Sequence, residues 1–279
     1  EWPMTDFATT CIGALTVPVY PSLPAEQVAA ILEDAAPRVA VVSTSEQLAK
    51  VRAIRGRVPS LSHVILVDGA SRAGDGGDGG DLIVDGWTAA LERSAEASFR
   101  DDALRVAPTD TATLIYTSGT TGVPKGAELT HGAMAYMVAA TRQHGPVPAG
   151  PGDVALSILP LSHVLERAAV NYFWDQGLVI AFAESIEAVS ENLLEVRPDV
   201  MVSVPRLFEK IYGRVVDSGG VKGRLARWAV AVGGRVVDRR LAGTRPPLAD
   251  RARFAVADRL VFRVLRQRTG GRLRSFISG

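Results

Sequence analysis

Short β-branched apolar runs alternate along this chain with stretches of helical periodicity. Residues 39–43 (VAVVS), 64–67 (VILV), 113–116 (TLIY), 154–159 (VALSIL), 178–182 (LVIAF) and 200–204 (VMVSV) predict strands. Their hydrophobicity is continuous rather than alternating, as in strands buried on both faces. Helical spacing runs through 25–36, 45–55, 131–144, 186–196 and 206–217. Strand and helix taking turns in this way predict an α/β fold with parallel-rich sheets flanked by helices. Pro/Gly-rich stretches at 145–152 and 243–247, and the Gly/Asp-rich stretch 69–81, predict loops. The last residues, 275–279 (SFISG), predict a strand entering a glycine turn.

Composition narrows the class. The chain has 279 residues, 47% of them hydrophobic, which supplies a large core. Its single cysteine, Cys11, rules out an internal disulfide and fits a reducing compartment. No apolar run reaches the roughly 18 residues of a membrane span, and a cytoplasmic location is expected. The four histidines, 63, 131, 144 and 163, lack metal-ligand spacing. There is no G-x-S-x-G elbow. Charge is unevenly placed. Residues 222–274 hold fifteen basic and three acidic residues, net +12, against sixteen basic and twenty-seven acidic elsewhere, net −11. Within this basic region, 251–268 reads as an amphipathic helix, with a stripe through Phe254, Val261 and Leu265 that faces either the core or lipid. Peripheral contact with an anionic membrane is therefore an expectation. Nucleic acid is not an expected partner, because no nucleic-acid motif accompanies the charge.

The densest chemistry lies at 117–126, TSGTTGVPKG. Thr117, Ser118, Thr120 and Thr121 supply hydroxyls, and Gly119, Gly122 and Gly126 let backbone N–H groups turn toward an anion. Lys125 adds a mobile positive charge, with Pro124 stiffening the backbone beside it. The pattern predicts a polyphosphate-binding loop between a strand and the helix near Thr130. It is not a Walker A loop: two residues separate Gly122 from Lys125, and no Ser or Thr follows the lysine.

This loop resembles the phosphate-binding loop of the adenylate-forming (AMP-binding) superfamily, which includes acyl-CoA synthetases, peptide-synthetase adenylation domains and luciferases. The resemblance runs along nearly the whole chain. Residues 2–20 are similar to an early helix and strand of that family. Segments 159–167 (LPLSHVLER) and 204–212 (VPRLFEKIY) resemble its long-chain fatty acid branch, and 276–279 (FISG) the start of its next strand.

The resemblance implies ATP-dependent activation of a long-chain fatty acid through an acyl-adenylate to its CoA thioester, with ATP, Mg²⁺ and CoA taking part. It implies that 117–126 holds the β- and γ-phosphates, and that His163, Ser278 and Gly279 line the acyl and carboxylate pocket. The family's adenine-stacking stretch with its Mg²⁺ glutamate, its ribose aspartate and its C-terminal-domain lysine have no counterpart in 1–279. The chain is thus expected to be a partial N-terminal domain without the C-terminal domain, with no certain catalytic residue or metal ligand, and inactive by itself. Transfer to a carrier protein and a non-catalytic nucleotide- or lipid-binding remnant stand as alternatives. Glu166 and Arg167 read as an ion pair or scaffold.

Overall fold

The computed structural model describes residues 1–68, 82–93, 99–118, 124–145 and 149–278. The expected loop at 69–81 lies outside them. The chain divides into two compact units, residues 1–139 with 160–164 and residues 140–159 with 165–279.

The first unit opens with α1 (Trp2–Cys11), followed by α2 (Ala25–Ala35), β1 (Val39–Val42), α3 (Ser45–Ile54), β2 (His63–Leu66), β3 (Ile83–Gly86), α4 (Trp87–Leu91) and α5 (Phe99–Arg105). Strands β1, β2 and β3 form a parallel sheet in that order. Local chemistry sets the helix ends. Thr44 caps α3 by accepting a hydrogen bond from the Gln47 N–H, and α2 ends at Ala36 in the left-handed region. Apolar residues of α2 and α3, including Ile31, Leu32, Val51 and Ile54, pack with Val64, Leu66 and Val84 of the sheet.

Next comes an antiparallel hairpin, β4 (Thr111–Ser118) and β5 (Pro124–Thr130), leading to α6 (His131–His144). Sequence periodicity predicts a loop running from 117 to the helix near Thr130. Instead the ladder continues to Ser118 and resumes at Pro124. Pro124 is tolerated because it is the first residue of its strand.

The second unit is built on four parallel strands: β6 (Val154–Ser157), β7 (Val179–Phe182), β8 (Val200–Ser203) and β9 (Ser275–Ser278), ordered β7-β6-β8-β9. Helix α7 (Val164–Asp175) links β6 to β7, and α8 (Val189–Val196) links β7 to β8. Burial on both faces holds for the inner strands, with all four residues of β8 buried. The edge strands β7 and β9 are partly exposed.

A charged network closes the starting ends of these strands. The buried Asp199 carboxylate accepts hydrogen bonds from the Val154 N–H at 3.0 Å and from Arg272 at 2.8 Å. Arg274 reaches Asp153 at 2.7 Å. The Asp153 carboxyl is held below the usual range, first by the Gly150 N–H and then by Arg274.

Between β8 and β9 lie α9 (Pro205–Val216), α10 (Gly220–Leu241), α11 (Leu248–Ala257), a π-helical turn (Asp258–Phe262) and α12 (Arg263–Arg268). Two of the three residues of the apolar stripe face the helical core. Phe254 and Val261 pack with Phe262 against Ala229, Val232 and Ala257.

Candidate functional site

In the β4–β5 hairpin, Thr117 stands opposite Lys125, and Tyr116 opposite Gly126. Residues alternate faces along a strand, so Thr117 and Lys125 share one face and the Tyr116–Gly126 pair takes the other. Thr117 and Lys125 are exposed and Tyr116 is buried. The Tyr116 hydroxyl donates to the Asp34 carboxylate at 2.6 Å, which ties the hairpin to the residue preceding the end of α2. Burial, and then that hydrogen bond, push the Tyr116 hydroxyl pKa well up. The hairpin thus presents a hydroxyl and an ammonium together above an anchored aromatic ring. Ser118 pairs with Pro124 in the ladder. Gly119, Thr120, Thr121 and Gly122 lie outside the described residues.

In the second unit all four strands run the same way, so their carboxyl ends form one edge. Three of them end in serine: Ser157 on β6, Ser203 on β8 and Ser278 on β9. Ser278 is register-paired with Ser203. Beside them the Phe208 ring meets Phe276 edge-on, 5.0 Å between centroids. The order β7-β6-β8-β9 means that the chain leaves β6 toward one side and β8 toward the other. Ligands of open α/β sheets sit at such a reversal, at the carboxyl ends of the strands. Gly279 lies outside the described residues. His163 is exposed and closes a turn in which its N–H donates to the Pro160 carbonyl at 2.8 Å.

Sequence reasoning missed Ser157 and Ser203, whose place at one edge appears only with the strand order. Glu166 turns out to be a buried acceptor, 1% exposed. Its carboxyl receives the Ser157 hydroxyl and the N–H groups of Ile158 and Leu159, yet burial outweighs them and pushes its pKa up to about 7. Among the described residues no group of three or more His, Cys, Asp or Glu side chains could hold a metal ion, so no metal ligand is assigned.

The sequence profile of the AMP-binding enzymes matches residues 1–256. The chain belongs to the AMP-binding enzyme family. It is 37% identical over its whole length to the long-chain-fatty-acid–CoA ligase FadD15 of Mycobacterium tuberculosis, of which it covers 45%. It is 31% identical over its whole length to the peroxisomal long chain acyl-CoA synthetase 6 of Arabidopsis thaliana, covering 38% of that protein. The chain therefore spans less than half the length of these relatives. The A domain of carboxylic acid reductase from Segniliparus rugosus, solved with AMP and a carboxylic acid, superposes on the whole chain with a TM-score of 0.66 at 19% identity, using 42% of that chain. At this identity the likeness establishes a shared α/β fold. Parallel sheets with flanking helices agree with the architecture read from the sequence.

Proposed function

We propose that this AMP-binding chain is part of an ATP-dependent long-chain fatty acid–CoA ligase. The observation that carries the reading is the Thr117–Lys125 pair, set across a hairpin whose intervening sequence is SGTTGVP. A triphosphate needs positive charge and several donors held in fixed relation. Here an ammonium and the hydroxyl residues are concentrated in ten positions. Thr117, Ser118, Gly119, Thr120, Thr121, Gly122, Lys125 and Gly126 would hold the β- and γ-phosphates, accompanied by Mg²⁺.

In this reading a fatty acid carboxylate oxygen attacks the α-phosphorus and the bond to pyrophosphate breaks, leaving an acyl-adenylate. The CoA thiol, giving up its proton, then attacks the acyl carbon and AMP departs. His163, Ser278 and Gly279 would line the acyl carboxylate. The long-chain substrate and the CoA acceptor are inferred from the ligases that the chain resembles at 37% identity.

The reading also includes weak peripheral contact with anionic membrane through 222–274. Among the described residues no helix is long and apolar enough to cross a membrane. The two leucines where α10 ends and α11 begins, Leu241 and Leu248, are 82% and 78% exposed. Exposed Arg239, Arg240, Arg245 and Arg251 flank them.

The deciding experiment supplies the intact gene product with Mg-ATP, CoA and palmitate. It follows fatty-acid-dependent ATP–pyrophosphate exchange and palmitoyl-CoA by mass spectrometry. Exchange with thioester formation is the expected result. Exchange without a CoA product, but with acylation of a carrier protein, would move the reading to the carrier-protein alternative, and no exchange would end it.

A further inference from the structure

We propose that Glu166 is a positioning residue, whose carboxyl holds the Ile158 and Leu159 amides and thereby sets the path of the chain as it leaves β6 at the strand-order reversal. The inference rests on the fatty-acid reading of this edge, because it supplies the reason why that path matters.

The β6 ladder ends with Ser157, register-paired with Phe182 of β7, and the Ala183 N–H donates to the Ser157 carbonyl at 2.9 Å. Beyond Ser157 the chain turns away from the sheet while Ile158 and Leu159 are still half-buried, and their amides lose their strand partners. Buried amides need acceptors. Glu166 supplies one from the first turn of α7, three residues beyond His163. A single carboxyl gathers three donors, the Ser157 hydroxyl and the Ile158 and Leu159 N–H groups. The end of the strand and the start of the helix are thus clamped across the connection between them.

Two features argue that the clamp does more than satisfy amides. First, the clamped connection starts beside Ser203, at the side of β6 where the order β7-β6-β8 reverses and where an α/β sheet takes its ligand. Second, a glutamate is a costly way to cap two amides. Its other oxygen, Oε2, is buried and has no hydrogen-bond partner among the described residues. Burying a polar oxygen without a partner disfavours the fold, so the clamp is held at a cost in stability. Acting through the backbone, Glu166 would govern where Ile158 and Leu159 lie at this edge of the sheet, without itself touching the nucleotide.

The test pairs kinetics with hydrogen exchange. In the intact gene product, Glu166→Ala should raise the fatty acid KM in pyrophosphate exchange about tenfold, the scale of one lost buried hydrogen bond, while leaving the ATP KM within about twofold. Glu166→Gln keeps an acceptor oxygen and should stay within about threefold of wild type on both. Val232→Ala, in the α10–α11 core, is the control for general loosening and should move neither KM. An unchanged fatty acid KM in Glu166→Ala, or an equal rise for both substrates, would overturn the proposal.

On residues 1–279 alone, Glu166→Ala should speed amide exchange at Ile158 and Leu159 about tenfold or more, with Glu166→Gln close to wild type. Unchanged exchange there overturns the clamp whatever the activity. A wild-type protein without fatty-acid-dependent exchange would instead remove the reading of the edge.

Discussion

A Cβ built on Gly126 would lie 3.1 Å from Cζ of the Tyr116 ring, the residue opposite it in the β4–β5 ladder. The ring has little room to retreat, because its hydroxyl is held by Asp34 at 2.6 Å. A side chain at the glycine that ends the 117–126 motif would therefore have to displace the ring by a few tenths of an ångström. Gly126→Ala should cost about 1–3 kcal/mol through overpacking, measured by urea unfolding. Adding Tyr116→Phe frees the ring from Asp34, so the double variant should lose less than the sum of the two single losses. Strict additivity would mean that the ring is not what crowds the site.

Lys125→Ala should slow fatty-acid-dependent pyrophosphate exchange in the intact gene product. One charge-assisted hydrogen bond contributes about 1.5–3 kcal/mol, which corresponds to roughly 10- to 150-fold. Lys125 is exposed, so the variant should unfold at the same urea concentration as wild type. Wild-type exchange in the variant would remove Lys125 from the phosphate site.

Stability should carry the signature of Glu166. Its carboxyl binds a proton more tightly folded, at about 7, than at its ordinary 4.5. The folded state therefore gains from protonation. That contribution is fully present below about pH 4.5 and is lost as pH rises through 7, amounting to roughly 3 kcal/mol. Glu166→Gln mimics the neutral acid and should abolish this slope. Its unfolding free energy should grow relative to wild type between pH 4.5 and 8. Parallel curves for the two proteins would show that the buried carboxyl ionises freely.

Gly270 adopts φ +86°, and a Cβ there would meet the Leu193 carbonyl oxygen and lie 2.7 Å from the Arg197 Cα. The Gly270 carbonyl also accepts from the Arg197 side chain at 3.0 Å. Gly270→Ala combines a left-handed backbone with a clash against main chain, and about 3 kcal/mol or more should be lost. A melting temperature within a degree of wild type would contradict that geometry.

Membrane contact through 222–274 should divide into two parts. The arginines give binding to phosphatidylglycerol vesicles that falls as the Debye length shrinks from about 10 Å at 0.1 M salt to about 3 Å at 1 M. Leu241 and Leu248 should leave a salt-resistant remainder, lost in the variant with both changed to serine. The remainder is expected from these leucines because Phe254 and Val261 are engaged in the helical core. No co-sedimentation at low salt would refute the contact.

The sequence by itself determined the layered α/β plan, because β-branched runs bounded by helical periodicity have few other solutions. The bounds of α6 (His131–His144) are those its sequence predicts, and β1, β2 and β8 fall within a residue or two of their apolar runs. It also determined where hydroxyls, glycines and a lysine are concentrated, since 117–126 is a local pattern.

What it left open depends on partners far along the chain. Residues 83–86 (IVDG) are too short and mixed to announce a strand, and β3 exists because β2 offers it a parallel ladder. Pro124 argues locally against a strand, yet pairing with Ser118 makes it the start of one. That Phe254 and Val261 of the 251–268 stripe face the core was decided by α10, whose Ala229 and Val232 give them a buried surface. Ser157, Ser203 and Ser278 became neighbouring strand ends only through the order β7-β6-β8-β9. Glu166 became an internal acceptor because the end of β6 leaves two amides without a ladder. Periodicity reports which face of an element is apolar, whereas the partner that covers it, and the amides left over where strands end, follow from long-range pairing that no local window contains.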